Sequence, residues 1–195
     1  MNSISPDPLR HPDLLSRCRS RLLVIDLQER LMPHISDQTQ VIESARLLIE
    51  AARILDVPVE LSEQSPLKLG KTVATLGTEL PAAVEKVRFS AAEALSGGGS
   101  ERTDGRYQVL LVGVEAHVCV LQTALDLLSS GCQVFIAVDA VGSRFPVDRE
   151  FALRRMEAAG VVLTTAEAAV FEWCETAAAD QFKALSQLVK QRVRS

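Results

Sequence analysis

Three short apolar runs constrain this chain more than any other feature: RLLVIDL at 21–27, YQVLLVGV at 107–114 and QVFIAVDAV at 133–141. Each is far shorter than the roughly 20 residues that span a bilayer. Each is also too continuously apolar for a sheet with one wet face, and reads as a strand buried on both faces. Between the runs the period changes. In VIESARLLIEAARILD, residues Ile42, Ala45, Leu48, Ile49, Ala52 and Leu55 recur at helical spacing. A helix is expected after 107–114 as far as Gly131, and another over about 148–159 closed by Gly160. The residues beyond 165 read as helical to near the end. Weaker strands are expected in VPVELSE (57–63), LPAAVEKVRFS (80–90) and VVLTT (161–165).

Strands alternating with helices of this length predict right-handed βαβ units, hence an α/β fold with helices on both faces of a parallel sheet. The sequence has no internal repeat and no second composition regime, so one domain is expected over 21–195. Residues 1–20 form an N-terminal arm whose prolines and charges leave no apolar core for a signal peptide. The polar, glycine-rich SGGGSERTDGR (96–106) is expected as a surface loop within the sheet rather than a linker.

Composition narrows the function classes. A net charge of −4 and an aromatic share of 4% offer neither a basic field nor stacking platforms for nucleic acid. No apolar run suits a membrane span, so neither nucleic acid nor a membrane is an expected partner. The four cysteines, Cys18, Cys119, Cys132 and Cys174, show no C-x-x-C spacing. Without a secretory signal they read as free thiols in a cytoplasmic protein. The three histidines, His11, His34 and His117, do not pair at ligand spacing, so neither a metal nor another cofactor is expected.

In an open parallel sheet, ligands collect beyond the carboxyl ends of the strands. That rule selects Asp26, Glu63, Lys86, Glu115, His117, Cys119 and Asp139. Taken singly, each has an ordinary explanation: a strand-terminal aspartate often caps a helix, a lone lysine is usually solvated, and cysteine is among the most buried residue types. Taken together they make chemical sense. Cys119 sits where a helix begins, and the N–H groups there would favour thiolate over thiol. A nearby lysine would push the same way, and an aspartate in reach could take and return the thiol proton.

The blocks LLVIDLQERL, VEKVRFSA and LLVGVEAHVCVLQTALDLLSSGCQVFIAVDAVGSR resemble the signature blocks of the isochorismatase-like cysteine hydrolase superfamily. The resemblance runs in order from about residue 21 to 190. EQSPLKLGKTV and DREFALRRMEAAGVVLTTAEAAVFEW look closest to its small isochorismatase-domain-containing subgroup.

This resemblance implies a three-layer α/β/α sandwich with a six-stranded, mainly parallel, Rossmann-like sheet. It also implies a triad of Asp26, Lys86 and Cys119, and an oxyanion hole from the backbone N–H groups of Glu115 and Cys119. Similar enzymes carry a non-proline cis peptide four residues before the cysteine, here the Val114–Glu115 bond. Gln28, Glu63 and His117 are the candidate substrate contacts, and a homo-oligomer supported by the apolar C-terminal helices is expected.

The departures carry information too. Nicotinamidase-like members hold a metal through histidines after the second strand, where this chain reads VELSEQSP. No metal is therefore expected, and nicotinamide is disfavoured as substrate. Many relatives read SAF after the lysine block; here Ser90 is followed by Ala91 and Ala92, leaving a wider pocket or a gap filled from elsewhere. The expected function is cysteine-dependent hydrolysis of a small amide or related acyl substrate through a thioester. The alternatives are a vinyl-ether hydrolase of isochorismatase type, which needs no cysteine, and a scaffold that kept the fold without catalysis. A Cys119–Cys132 disulfide is disfavoured, because the two stand at opposite ends of one expected helix.

Overall fold

The computed structural model describes residues 10–77, 79–94 and 104–192. Six strands alternate with helices: β1 (Ser20–Ile25), α1 (Gln38–Ile54), β2 (Val59–Gln64), the single turn α2 (Pro66–Leu69), β3 (Val84–Lys86), β4 (Gln108–Val114), α3 (Leu121–Ser129), β5 (Gln133–Gly142), α4 (Pro146–Ala158), β6 (Val162–Thr164), α5 (Ala166–Cys174) and α6 (Phe182–Arg192). All six strands pair in parallel in the order β3-β2-β1-β4-β5-β6.

The continuous apolar runs become strands because both sides of the sheet are covered. Leu22 and Val24 of β1 pack with α1, α5 and α6, while their neighbours Leu23 and Ile25 pack with α3 and α4. Successive side chains point to opposite faces of a strand, so a run such as RLLVI feeds two cores at once. The result is the expected three-layer α/β/α sandwich.

Strand order reverses between β1 and β4. From β1 the chain winds outward through β2 to β3, and from β4 it winds the other way through β5 to β6. Helices leaving the two central strands therefore lie on opposite faces, and a crevice opens between their starts. Asp26 follows β1 and Glu115 follows β4, so both stand at this switch point.

Several expectations are refined. The second half of the N-terminal arm is packed: Leu15 is fully buried, and the Gln108 carboxamide accepts from the Ser16 N–H (2.8 Å) and donates to the carbonyls of Pro12 and Leu14 (3.1 Å each). Residues 1–9, and most of the 96–106 segment expected as a loop, lie outside the described residues. The α3 and α4 helices end just before Gly131 and Gly160, as their positions imply. Most apolar residues of α5 and α6, Trp173, Val170 and Leu185 among them, face the protein's own core, while Phe171 reaches solvent. Large apolar side chains instead reach solvent around the start of α4, at Phe145, Val147 and Phe151.

Asp139 does not reach the crevice. It lies where β5 carries extra residues relative to β4, between the Leu111–Ile136 and Gly113–Val141 pairs. One of its carboxylate oxygens accepts from the Ala166 N–H at the start of α5 (2.8 Å), and the other from the Ser44 hydroxyl of α1 (3.3 Å). It caps a helix and ties a second one to the sheet, the ordinary role for a strand-terminal aspartate.

Gly113 sets how closely the two central strands approach. It has φ of +140°, and a Cβ there would stand 2.1 Å from the Ile25 carbonyl oxygen. Neither backbone can yield without moving Asp26, the next residue. Gly113→Ala is expected to lower stability by about 3 kcal/mol or more, measured as a shift of the urea unfolding midpoint.

Candidate active site

β1 ends where Asp26 takes a left-handed backbone conformation (φ 54°), turning the fully buried carboxylate away from the ladder. Its Oδ1 accepts from the Ser62 hydroxyl (2.8 Å) and its Oδ2 from the Lys86 ammonium (2.7 Å). Lys86, the last residue of the short edge strand β3, has a side chain 9% exposed. Its Nζ also donates to Gln64 Oε1 (2.8 Å) and to the Phe89 carbonyl (3.0 Å), with the Arg88 carbonyl at 3.3 Å. An ammonium has three protons, and Asp26, Gln64 and Phe89 absorb them. Cys119 Sγ stands 3.8 Å from the same nitrogen, so Lys86 acts on the sulfur chiefly as a fixed positive charge.

Cys119 lies in one π-helical turn, Ala116–Val120, that leads into α3. Glu115 opens the turn in a left-handed conformation (φ 54°, ψ 64°), which reverses the chain out of β4. No cis peptide occurs among the described residues, so the cis Val114–Glu115 bond implied by the resemblance is absent. The left-handed Glu115 makes the reversal instead. Behind the cysteine, the Thr123 hydroxyl donates to the Cys119 carbonyl (2.6 Å) and accepts from the Ala91 N–H (2.8 Å). That bridge ties the segment whose carbonyls hold Lys86 to the helix that carries the thiol.

The expectation of a resting thiolate is corrected. Burial pushes the Cys119 thiol up to about 12, and the negative charge of Asp26 adds to the effect; Lys86 lowers it, but by less. The helix start offers N–H groups, yet desolvation of a sulfur 5% exposed outweighs them. At neutral pH the site rests as a thiol beside an aspartate–lysine ion pair.

Cys119 forms part of the wall of a cavity of about 560 Å³. Leu31, Leu69, Phe89 and Val118 give it apolar sides, and Arg30, His34, Gln64, Glu115 and Arg144 give it polar ones. Ala91 is buried beside Cys119 in the second core, while the aromatic ring at the cavity comes from Phe89, two residues earlier.

The three candidate substrate contacts all lie near this crevice but not in its wall. Gln28 is fully buried, donating to the carbonyls of Gly70 (2.7 Å) and Gln64 (3.1 Å) and accepting from the Gln64 N–H (2.8 Å). Glu63 accepts from the Thr72 N–H (2.7 Å) and hydroxyl (2.9 Å) and pairs with Lys71 (3.2 Å). Burial works to raise its carboxyl, but the Thr72 donors and Lys71 outweigh it and hold the group below its ordinary value. His117 stands 3.2 Å from the Ser143 hydroxyl, with carboxylate oxygens of Glu115 at 3.5 Å and Asp148 at 3.7 Å. Arg144 holds the other Glu115 oxygen at 2.8 Å.

Gln64, Phe89 and Arg144 were not singled out in the sequence. The signal for Gln64 was its place at the end of a strand, one position past Glu63, where alternation sends it to the opposite side. None of the four cysteines is in a disulfide; Cys119, Cys132 and Cys174 are buried and Cys18 is half-buried. Among the described residues no group of three or more His, Cys, Asp or Glu side chains could hold a metal ion, and no helix is long and apolar enough to cross a membrane.

The family profile described as Isochorismatase domain matches residues 20–168, a span running from the start of β1 into α5. The chain belongs to the isochorismatase family. Isochorismatase domain-containing protein 2A of Mus musculus is 42% identical over 177 residues, covering 89% of this chain and 84% of that protein. A solved structure named MAR1 ribonuclease, from Caenorhabditis elegans, superposes with a TM-score of 0.83 at 39% identity, covering 90% of this chain and 92% of that one. The YcaC product of Escherichia coli, described as an octameric hydrolase of unknown specificity, shares the fold at a TM-score of 0.83 and 22% identity, over 95% and 93% of the two chains.

The protonation of the site is directly measurable. With Cys119 held near 12, its alkylation by iodoacetamide should climb about tenfold per pH unit from pH 7 to 10 without levelling. Peptide mass spectrometry separates Cys119 from the other thiols. A plateau near neutral pH would mean a resting thiolate.

Proposed function

We propose that this isochorismatase domain is a cysteine-dependent hydrolase of a small amide or related acyl substrate. The supporting observation is the convergence of Asp26, Lys86 and Cys119 from three separate strand ends, with the ion pair buried behind the Cys119 thiol and Cys119 itself lining the cavity. Because the thiol rests protonated, the nucleophile forms as it is used. Sγ attacks the substrate carbonyl carbon while Asp26 takes its proton, and the fixed charge of Lys86 offsets the negative charge passing through the site.

The C–S bond forms and the carbonyl oxygen becomes an oxyanion. The backbone N–H groups of Glu115 and Cys119, at the opening of the π turn, are its proposed donors; each such donor is typically worth a factor of about 10²–10³. Collapse breaks the C–N bond, and Asp26 returns its proton to the departing amine. Asp26 then deprotonates a water that attacks the thioester carbonyl; the C–S bond breaks, Asp26 returns that proton to the departing sulfur, and the carboxylic acid and the Cys119 thiol are released. No group outside the chain and one water is needed for the proton balance.

The part-apolar cavity and a net charge of −4 support a small acyl compound over a polyanion such as the RNA suggested by the name of the worm structure. Four cysteines outside any disulfide suit a reducing, cytoplasmic setting. Phe145, Val147 and Phe151, exposed around the start of α4, supply a surface for the expected self-association.

The deciding experiment exposes the protein to a panel of small primary amides and their esters, with intact-mass detection of an acyl group on Cys119. Cys119→Ala should abolish the adduct and reduce turnover by about 10³-fold or more. Turnover surviving that change would instead favour vinyl-ether chemistry, and an inert Cys119 in the unaltered protein would favour a non-catalytic role.

A further inference from the structure

Lys86 occupies an insecure place for a residue whose ammonium must stay 3.8 Å from a sulfur. It ends β3, a three-residue edge strand paired only with β2. Its direct register partner on β2 is Gln64. We infer that Gln64 is a positioning residue for Lys86, and that Gln28 in turn fixes Gln64, so that two glutamines govern how strongly the cation acts on Cys119. This inference rests on Lys86 being the cation of the proposed triad.

The orientation of the Gln64 carboxamide is dictated by its neighbours. Its Nε2 donates to the Val87 carbonyl (2.8 Å) and its Oε1 accepts from Lys86 (2.8 Å). Flipping the amide would set NH₂ against an ammonium and oxygen against a carbonyl, two repulsive contacts in place of two hydrogen bonds. The side chain therefore presents a fixed acceptor to the ammonium and anchors the residue that follows Lys86.

Gln28 supplies the next link. The last β1–β2 pair is Ile25 with Ser62, because β1 turns off at Asp26 to deliver its carboxylate. Beyond that pair, β2 loses its neighbouring strand just where Gln64 needs one. The Gln28 carboxamide takes the strand's place, accepting from the Gln64 N–H (2.8 Å) and donating to the Gln64 carbonyl (3.1 Å). Its remaining N–H goes to the Gly70 carbonyl (2.7 Å), which uses both donors of a fully buried amide. The turn that exposes Asp26 thus creates the vacancy that Gln28 fills. The chain of contacts runs from Gln28 through Gln64 to Lys86 and the thiol.

Iodoacetamide reports on this without knowledge of the substrate, since Cys119 alkylation follows its thiolate fraction. Gln64→Met keeps the length of the side chain and removes the acceptor. In the full chain it should slow Cys119 alkylation about three- to tenfold between pH 7.5 and 9.5, as the ammonium drifts from the sulfur. Gln28→Met should act in the same direction.

Coupling is tested in a background where the ion pair is neutralised together, Asp26→Asn with Lys86→Met, which strands no buried charge. There, neither glutamine change should alter the rate further. An unchanged rate in the otherwise native chain would overturn the inference, as would an equal slowing in the neutralised background. Should Gln64→Met fail to fold, Gln28→Met gives the same cycle. Acyl trapping on Cys119 is scored separately, so the hydrolase reading can fail while this coupling holds, or the reverse.

Discussion

The Asp26–Lys86 ion pair is the contact on which the rest of this site depends. Each partner is nearly inaccessible to water, and removing either would leave an uncompensated charge in the interior. The surrounding structure answers to that pair. β1 must stop at Asp26, Ser62 must supply a second donor to the carboxylate, and the chain after β3 must fold back so that its carbonyls meet the ammonium. Thr123 then ties this returning segment to the cysteine. The thiol is placed by the same connections that keep the charges satisfied.

That arrangement bears on the chemistry proposed for the domain. A cysteine next to a lysine invites the idea of a standing thiolate, but the same network carries the negative charge of Asp26, which acts the opposite way. Asp26 and burial together outweigh Lys86, so the net field at the sulfur favours the neutral form. The ion pair holds the site in a state where proton transfer to Asp26 and attack on a carbonyl would belong to one event. In the proposed mechanism the lysine would steady that event as a fixed charge.

Much of this was legible in the sequence, for reasons that can be stated. RLLVI, QVLLVGV and VFIAV are apolar at every step because two cores need them, and that pattern announces a covered parallel sheet. Asp26, Lys86 and Cys119 could be nominated because strand ends of such a sheet converge. Asp139 satisfied the same rule and caps α5, since the extra residues in β5 carry it out of the crevice. Sequence spacing contains no record of that bulge. The pairing of Gln64 with Lys86 was hidden similarly, because register between an edge strand and its neighbour is set by tertiary packing. The thiol's protonation was misjudged because a helix start is a local feature, whereas desolvation depends on everything packed around the sulfur. The left-handed Glu115 had no sequence signature at all.

The raised thiol has a consequence for the molecule's lifetime. Hydrogen peroxide and similar oxidants attack thiolates, and an ordinary cysteine in an unfolded chain ionises near 8.5. In the folded domain, burial and the Asp26 charge push the Cys119 thiol well above that value. Folding therefore makes the residue proposed to be the nucleophile chemically quieter than it was in the nascent chain. Damage to Cys119 would fall mainly on molecules that have not finished folding or have locally opened. On this reading the folded site itself would shield the sulfur from oxidants.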